Sequence, residues 1–109
     1  MTTEETARTP SFSGAFEELD ETIHQKVRLG IMSTLIALKE ADFKLLKETL
    51  GLSDGNLSTH LTLLEERGYI HIQKSFRGRK PHTSVTPTDT GRVAFDRYVS
   101  ALERIIKQS

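Results

Sequence analysis

Residues 53–68, SDGNLSTHLTLLEERG, constrain the fold most, because they predict a short helix with marked ends and two unlike faces. Three leucines recur at the i, i+4, i+7 spacing of a helix that packs on one side: Leu57, Leu61 and Leu64. Ser53 can cap the first turn through its hydroxyl, and Gly68 favours the end of a helix. The opposite face is small and uncharged, so it suits a helix that lies close against a partner.

A second, shorter helix is predicted immediately upstream. Asp42 can cap it, Gly51 can end it, and its apolar residues share one face: Phe43, Leu46 and Leu50. Only Gly51 and Leu52 then separate this helix from the capping Ser53. Two helices joined by so short a turn form a helix-turn-helix, and the second of them, here residues 53–67, is the recognition helix.

Between the recognition helix and the C-terminus the pattern first changes to a period of two. Residues 69–76 alternate as a strand, with one side formed by Ile70, Ile72, Lys74 and Phe76. Residues 77–81 have the composition of a turn, and residues 82–86 return as a second strand. The sequence therefore predicts a β-hairpin with a basic tip, and residues 74–83 are called the wing.

Two further helices are predicted at the ends of the domain. The first covers residues 21–39, and the last covers residues 88–107 with Thr88 as its cap. The last helix has two apolar stripes, one with Ala94, Tyr98, Leu102 and Ile105 and one with Phe95, Val99 and Ile106. This surface exceeds what one small domain needs, so we expect a homodimer. Its predicted interface consists of Ile23, Val27, Phe95, Tyr98, Val99, Leu102 and Ile106.

The order helix, helix, helix, strand, strand, helix predicts an α+β fold that is mostly α. It is the order of a winged helix-turn-helix, here with a C-terminal dimerisation helix at residues 88–107. The 109 residues fit one domain, which we place at residues 19–109. Residues 1–18 are acidic and carry few apolar side chains, so we expect a flexible N-terminal tail there.

The net charge of the chain is zero, but the charges are unevenly distributed. No acidic residue lies between Glu66 and Asp89, whereas that stretch holds the basic residues Arg67, Lys74, Arg77, Arg79 and Lys80. Because salt screens charges beyond about 8–10 Å, a local basic patch on a neutral protein can still bind a polyanion.

We therefore expect the recognition helix and the wing to bind double-stranded DNA. Asparagine and hydroxyl side chains can reach base edges or phosphates, and arginine suits a narrow minor groove. The candidate DNA-binding residues are Ser53, Gly55, Asn56, Ser58, Thr59, His60, Thr62, Lys74, Arg77, Arg79 and Lys80. Two plainer interpretations stay open: a helix face that is simply solvated, and a basic tip that only keeps an edge strand soluble.

The sequence indicates neither an enzyme nor a metalloprotein. It has no cysteine, its four histidines lie at no compact ligand spacing, and it lacks a nucleophile elbow and a glycine-rich phosphate loop. We expect no catalytic residue, no metal ligand and no cofactor. No apolar run approaches the roughly 18 residues of a membrane span, and the N-terminus is unlike a signal peptide, so we expect a cytoplasmic protein that contacts no membrane.

Four segments carry a resemblance to a known family. They are LDETIHQKVRLGIMSTL at 19–35, GLSDGNLSTHLTLLEERGYI at 51–70, KSFRGRKPHT at 74–83 and TPTDTGRVAF at 86–95. In these segments the chain resembles the small winged-helix transcriptional regulators related to the multiple-antibiotic-resistance (MarR) and arsenical-resistance (ArsR) repressors. The resemblance implies a homodimer on a pseudo-palindromic operator, with residues 53–62 in the major groove and residues 77–80 as the tip of the wing.

Two alternatives concern the partner. A winged-helix module can instead bind protein within a larger assembly, because similar folds serve both purposes. Such a module is expected to expose apolar residues at the wing tip or along the recognition helix, where only Leu63 points that way. The second alternative is a regulator whose DNA binding is controlled by an unknown small-molecule effector, with a pocket between subunits.

Overall fold

The computed structural model describes residues 14–107, which form five helices and a three-stranded antiparallel sheet. The helices are α1 (Ala15–Glu18), α2 (Lys26–Leu38), α3 (Phe43–Leu50), α4 (Asp54–Glu66) and α5 (Asp89–Lys107). The strands are β1 (Ala41–Asp42), β2 (Ile70–Arg77) and β3 (Lys80–Pro87), in the order β1-β3-β2. This architecture confirms the predicted α+β, mostly α, winged helix-turn-helix.

The helix-turn-helix has the predicted boundaries. Asp42 Oδ1 accepts a hydrogen bond from Leu45 N at 2.7 Å, and Gly51 ends α3 with a left-handed φ of 64°. Ser53 Oγ accepts from Asn56 N at 3.2 Å and so caps α4, the recognition helix. The apolar edge of this helix is buried as predicted, at Leu57, Leu61 and Leu64.

The prediction that the first long helix begins at residue 21 was wrong, because α2 begins at Lys26. Asp20 causes the difference. Its side chain accepts a hydrogen bond from Ile23 N at 3.0 Å, and its carbonyl accepts one from His24 N at 2.7 Å. This turn buries Ile23 outside the helix, and Gln25, in an extended conformation, then caps α2.

The predicted flexible tail, residues 1–18, overlaps a short ordered segment. Helix α1 packs against α5, with Ala15 buried and Glu18 Oε2 2.8 Å from Arg104 Nη2. The predicted boundary at residue 18 therefore falls at the end of an ordered helix. The earlier part of the predicted tail, residues 1–13, lies outside the described residues.

The sheet has one strand more than predicted. The hairpin of β2 and β3 is paired along its whole length. Strand β1 joins the other edge of β3, where Ala41 pairs with Val85 and Asp42 pairs with Ser84. Two residues are too few to show an alternating pattern, so β1 could not be predicted.

One hydrophobic core connects α2, α3, α4, the sheet and α5. Its fully buried large side chains include Ile31, Met32, Leu35, Leu46, Leu57, Leu64, Val85 and Tyr98. Burying one such side chain contributes about 1.5–3 kcal/mol relative to leaving it exposed. The leucines of α4 therefore hold the recognition helix in a fixed orientation, with its polar face directed away from the core.

A set of hydrogen bonds joins the end of the recognition helix, the start of β2 and the start of α5. Tyr69 N donates to Leu64 O, and Tyr69 O accepts from Thr88 N, each at 3.0 Å. Thr88 caps α5 as predicted, since its Oγ1 accepts from Gly91 N at 3.0 Å. The same hydroxyl donates to Gly68 O at 2.6 Å. Gly68, Tyr69, Thr88 and Gly91 are called the junction.

The side chain of Tyr69 extends the junction to the turn before α2. Its hydroxyl donates a short hydrogen bond to Asp20 Oδ2. Burial, and then this hydrogen bond, raise the pKa of Tyr69 to about 12. The hydroxyl therefore stays protonated at neutral pH, and the one carboxylate of Asp20 holds both the turn and the junction.

Replacing Gly91 with Ala is expected to lower the free energy of unfolding by about 3 kcal/mol, because overpacking against backbone cannot be relieved by a rotamer change. A Cβ at Gly91 would lie 2.1 Å from Tyr69 O. Urea denaturation measures the effect. Gly55→Ala is the matched control, since no atom lies within 4 Å of a Cβ there. An Ala at position 91 that leaves stability unchanged would contradict the close approach.

Candidate nucleic-acid interface

The outer face of the recognition helix is exposed and consists mainly of small side chains. It carries the exposed predicted residues Ser53, Gly55, Asn56, Ser58, Thr59 and Thr62. Thr59 Oγ1 donates to Gly55 O at 2.9 Å. The hydroxyl hydrogen of Thr59 is thus used within the helix, while its oxygen can still accept a hydrogen bond from outside.

An ion pair lies at the start of the recognition helix. Lys47 Nζ on α3 is 2.8 Å from Asp54 Oδ1, and both side chains are exposed. The hydrogen bond with Asp54, and then its charge, raise the pKa of Lys47. Asp54 also lies in the first helical turn, where a carboxylate interacts favourably with the helix dipole. The negative charge of Asp54 is therefore partly compensated before any anion approaches the helix.

His60 is half-buried and is held in place from α2. Arg28 Nη1 lies 3.1 Å from His60 Nδ1, and Arg28 Nε donates to Thr22 O at 2.5 Å. Because a guanidinium can only donate, Nδ1 must accept, which puts the proton of the neutral imidazole on Nε2. Burial, and then the charge of Arg28, lower the pKa of His60. At neutral pH His60 therefore offers a hydrogen-bond donor at Nε2 on an oriented ring.

Arg28 is a candidate interface residue that sequence reasoning missed. It lines a shallow concavity of about 520 Å³ together with Ser58, Thr59, His60, Thr62, Leu63 and Glu66 of the recognition helix. Its partner His60 is 32 positions away, so no spacing pattern connects the two. The only sequence signal is a charged residue that directly follows Val27, within a mostly apolar helix.

The wing ends in a two-residue turn of Gly78 and Arg79, which the pair of Arg77 and Lys80 closes. Gly78 has a φ of 64°, in the left-handed region that so tight a hairpin turn requires of one central residue. Arg79 therefore stands at the extreme tip. The predicted cations of the wing are all exposed: Lys74, Arg77, Arg79 and Lys80.

The pairing of β2 with β3 distributes the wing side chains over two faces. Lys74 and Phe76 lie on one face of the hairpin together with their pairing partners Thr83 and Pro81, because directly paired residues share a face. Arg77 lies on the other face with its pairing partner on β3. Both faces of the wing therefore carry positive charge.

A groove of about 290 Å³ connects the recognition helix with the wing. It is lined by Phe43, Ser58, Leu61, Thr62, Ile72, Lys74 and Thr83. The structure thus brings together Ser58, Thr62 and Lys74 from the predicted DNA-binding set. The remaining cations of the wing lie farther out along the hairpin and do not line this groove.

The exposure of Phe76 was not expected, because the sequence indicated Leu63 as the only apolar residue exposed near this surface. Leu63 is half-buried, whereas Phe76 is 72% exposed. The alternation correctly places Phe76 on the same face as Ile70 and Ile72. The hairpin, however, extends beyond the core before it reaches Phe76, so the residues that the structure describes leave that ring exposed.

The predicted dimer-interface residues divide between the core and the surface. Ile23 and Tyr98 are buried within the chain, and Tyr98 Oη lies 2.8 Å from His24 Nδ1. These two side chains leave no surface for a partner. The others are half-buried or exposed: Val27, Phe95, Val99, Leu102 and Ile106. The dimer interface itself stays a prediction.

The fold, with a recognition helix beside a cationic wing, defines a winged helix-turn-helix protein. Residues 27–106 match a family model described as a winged helix DNA-binding domain. The chain belongs to this family. An uncharacterized protein of Methanocaldococcus jannaschii is 40% identical over 81 residues, which cover 74% of this chain and 88% of that protein.

Solved structures of transcriptional regulators, one of them of the MarR family, share this fold. A transcriptional regulator homologue from Pyrococcus horikoshii OT3 superposes with a TM-score of 0.71 at 34% identity, covering 84% of this chain and 95% of that one. A MarR-family regulator from Enterococcus faecalis V583 has the same fold, with a TM-score of 0.69 at 23% identity and coverage of 88% and 86%. The chain is therefore similar in sequence to a transcriptional regulator homologue and in fold to a MarR-family regulator.

Membrane-spanning helices and clusters of metal-ligating side chains are both absent from residues 14–107. No helix in this part of the chain combines the length and the apolar character that crossing a bilayer requires. No three acidic or histidine side chains there are grouped so that they could hold a metal ion.

Acidification is expected to destabilise the wild-type protein relative to a His60→Gln variant. The pKa of His60 is lowered from 6.5 in the folded chain, so just below that value the unfolded chain binds more protons than the folded one. The stability that His60 contributes is therefore fully present above the unfolded pKa of 6.5. It is lost as the pH falls toward and through the lower pKa of the folded chain. Urea denaturation of both proteins between about pH 7.5 and about pH 5.5 measures the difference. A difference in unfolding free energy that does not change with pH would contradict the assignment.

Proposed function

We propose that the protein is a transcriptional regulator that binds double-stranded DNA as a homodimer and represses transcription by occupying a pseudo-palindromic operator. The groove between the recognition helix and the wing is the observation that carries this proposal. An uncharged polar helix face borders it on one side, and a cationic hairpin borders it on the other. The chain's similarity to transcriptional regulators supports the same conclusion.

The recognition helix suits the major groove, which is about 12 Å wide and admits a helix. Gly55 and Thr59 are small enough to let the helix backbone approach the bases. Asn56 can pair with adenine through two hydrogen bonds, and Nε2 of His60 can donate to a guanine acceptor or a phosphate oxygen. These side chains carry the sequence readout in our proposal.

The wing suits the sugar-phosphate backbone and the adjacent minor groove. Four cations lie within seven residues of the hairpin, at Lys74, Arg77, Arg79 and Lys80. Arg79, at the tip, has the position from which an arginine can enter a narrow minor groove, where the negative potential is strongest. Phosphate contacts of this kind supply affinity for any sequence, and they weaken as salt increases.

Dimerisation through α5 would place two recognition helices on one face of the DNA. An apolar groove of about 300 Å³ lies between α2 and α5 and is lined by Ile36, Arg92, Phe95, Asp96 and Val99. Ile106 is 68% exposed near the end of α5. A second copy that covers these residues would set the half-sites about one helical turn of DNA apart.

A protein-binding module is the second candidate function, and the exposure of Phe76 favours it. An uncovered aromatic ring at the wing tip is the feature expected of a docking surface. The cations around Phe76 favour DNA instead, because a docking surface is commonly poor in charge at its centre. Binding to random-sequence duplex DNA separates the two candidates.

The protein is expected to bind random-sequence duplex DNA with a strong dependence on salt. If a dimer neutralises six to eight phosphates, the slope of log affinity against log salt is about −5 to −7. Arg79→Ala in both protomers should weaken binding to all sequences and reduce the magnitude of the slope by about 2. Fluorescence anisotropy across salt concentrations measures both quantities.

The control for Arg79→Ala is Arg97→Ala, which removes the same charge from α5, outside the candidate interface. It should leave the slope unchanged. A slope near zero for the wild type would contradict DNA binding, and absence of binding at low salt would make the protein-binding module the better account.

A Val99→Glu, Ile106→Glu double variant is expected to be monomeric, because it would bury carboxylates in the proposed interface. Ser100→Glu, at an exposed position on α5, is the matched control and should stay dimeric. Sedimentation equilibrium measures the assembly state. Loss of the dimer should also weaken operator binding by about 10²-fold, since the two half-sites would bind independently. A dimer that persists in the double variant would place the interface elsewhere.

A further inference from the structure

Phe76 is the most exposed large apolar side chain that the structure describes, and its location in the fold is specific. It lies on β2 directly before Arg77, the residue that closes the turn of the wing. Its partner across the hairpin is Pro81, which is also exposed. The two apolar rings therefore lie side by side near the tip, beyond the reach of the core.

The face that carries Phe76 is the face directed toward the recognition helix. Lys74, Ile72 and Thr83 lie on that same face, and all three line the groove shared with Ser58 and Thr62 of the recognition helix. A binding partner that contacts the polar face of the recognition helix and spans the groove would therefore also contact Phe76. The ring is an extension of the candidate interface and not an isolated surface residue.

The charges around Phe76 indicate what kind of partner covers it. Lys74 lies on the same face of the hairpin as Phe76, whereas Arg77 and Lys80, next to Phe76 and Pro81 in sequence, lie on the other face. No acidic residue occurs between Glu66 and Asp89. A surface complementary to an exposed ring on a hairpin with cations on both faces is anionic at its edges and apolar in between. The minor groove of duplex DNA has this chemistry, with phosphates along both rims and deoxyribose rings on its walls.

We propose that Phe76, supported by Pro81, is an apolar wedge that enters the minor groove beside the recognition helix and loosens the stacking of one base step. Apolar side chains of this kind can partly unstack a step and kink the duplex. Pro81 suits the supporting role because its ring fixes φ and stiffens the opposite strand. This inference rests on the proposed DNA binding and adds a second source of sequence preference to it.

The wedge would make the protein sensitive to a property of DNA that it does not read by hydrogen bonds. Pyrimidine–purine steps such as TA unstack readily, whereas A-tracts are stiff. The free energy needed to unstack the bases is therefore smaller at a TA step. The protein should prefer a duplex with a TA step where the wing lands over an equally charged duplex without one.

The test measures binding of Phe76→Ala to duplexes with and without TA steps, across salt concentrations. An apolar contact releases no counterions, so the plot of log affinity against log salt should shift downward in parallel, by about tenfold, with its slope unchanged. The preference for TA steps should disappear. Phe76→Leu keeps an apolar side chain and should restore part of both effects.

Val93→Ala is the matched control, because Val93 is 59% exposed on α5, outside the candidate interface. It should change neither affinity nor preference. Since Phe76 is exposed, its replacement should leave the unfolding transition in place, which urea denaturation checks.

The outcomes distinguish this inference from the proposed function. Wild-type affinity and TA preference in Phe76→Ala, with DNA binding intact, would overturn the wedge alone. A changed slope in that variant would show that the ring acts only by placing the cations, which also overturns it. Absence of DNA binding by the wild type would overturn both proposals. A change in assembly state in Phe76→Ala, with DNA binding retained, would show that the ring contacts a second copy instead.

Discussion

The hydrogen-bonded contact of Tyr69 with the start of α5 fixes the geometry on which the candidate interface depends. Tyr69 N donates to Leu64 O near the end of the recognition helix, and Tyr69 O accepts from Thr88 N. The hairpin begins at the next residue, Ile70. Gly91 makes this approach possible, because any side chain there would meet the Tyr69 carbonyl. The recognition helix, the wing and α5 are therefore coupled at one point, and a displacement at one of them must be absorbed by the others.

The parts of the fold that depend on local chemistry were predicted well. Asp42, Ser53 and Thr88 all cap the helices they were expected to cap, because each side-chain oxygen bonds an amide only three residues away. Features that depend on distant partners were not predicted. Strand β1 exists only because Ala41 and Asp42 find β3, and the late start of α2 depends on Asp20, whose carboxylate also bonds Tyr69.

The candidate interface shows the same division. The small polar face of the recognition helix and the cations of the wing follow from periodicity and charge along the sequence. Arg28 could not be found in that way, since its contact with His60 spans two helices. Phe76 and Tyr98 show a further limit of periodic patterns. Alternation gives the face of a residue but not where the core ends, so Phe76 is exposed and Tyr98 is buried, contrary to the simplest expectation for each.

The overhang of the hairpin has a consequence for how the two halves of the interface respond to DNA of variable shape. From Gln73 outward the residues of β2 are exposed, and β1 pairs with β3 only at Val85 and Ser84. The recognition helix, in contrast, is fixed in the core by three leucines. The outer part of the wing is therefore less restrained by packing than the recognition helix. We expect it to follow changes in minor-groove width with little energetic penalty, whereas a change of register beneath the helix would have to be accommodated by the DNA.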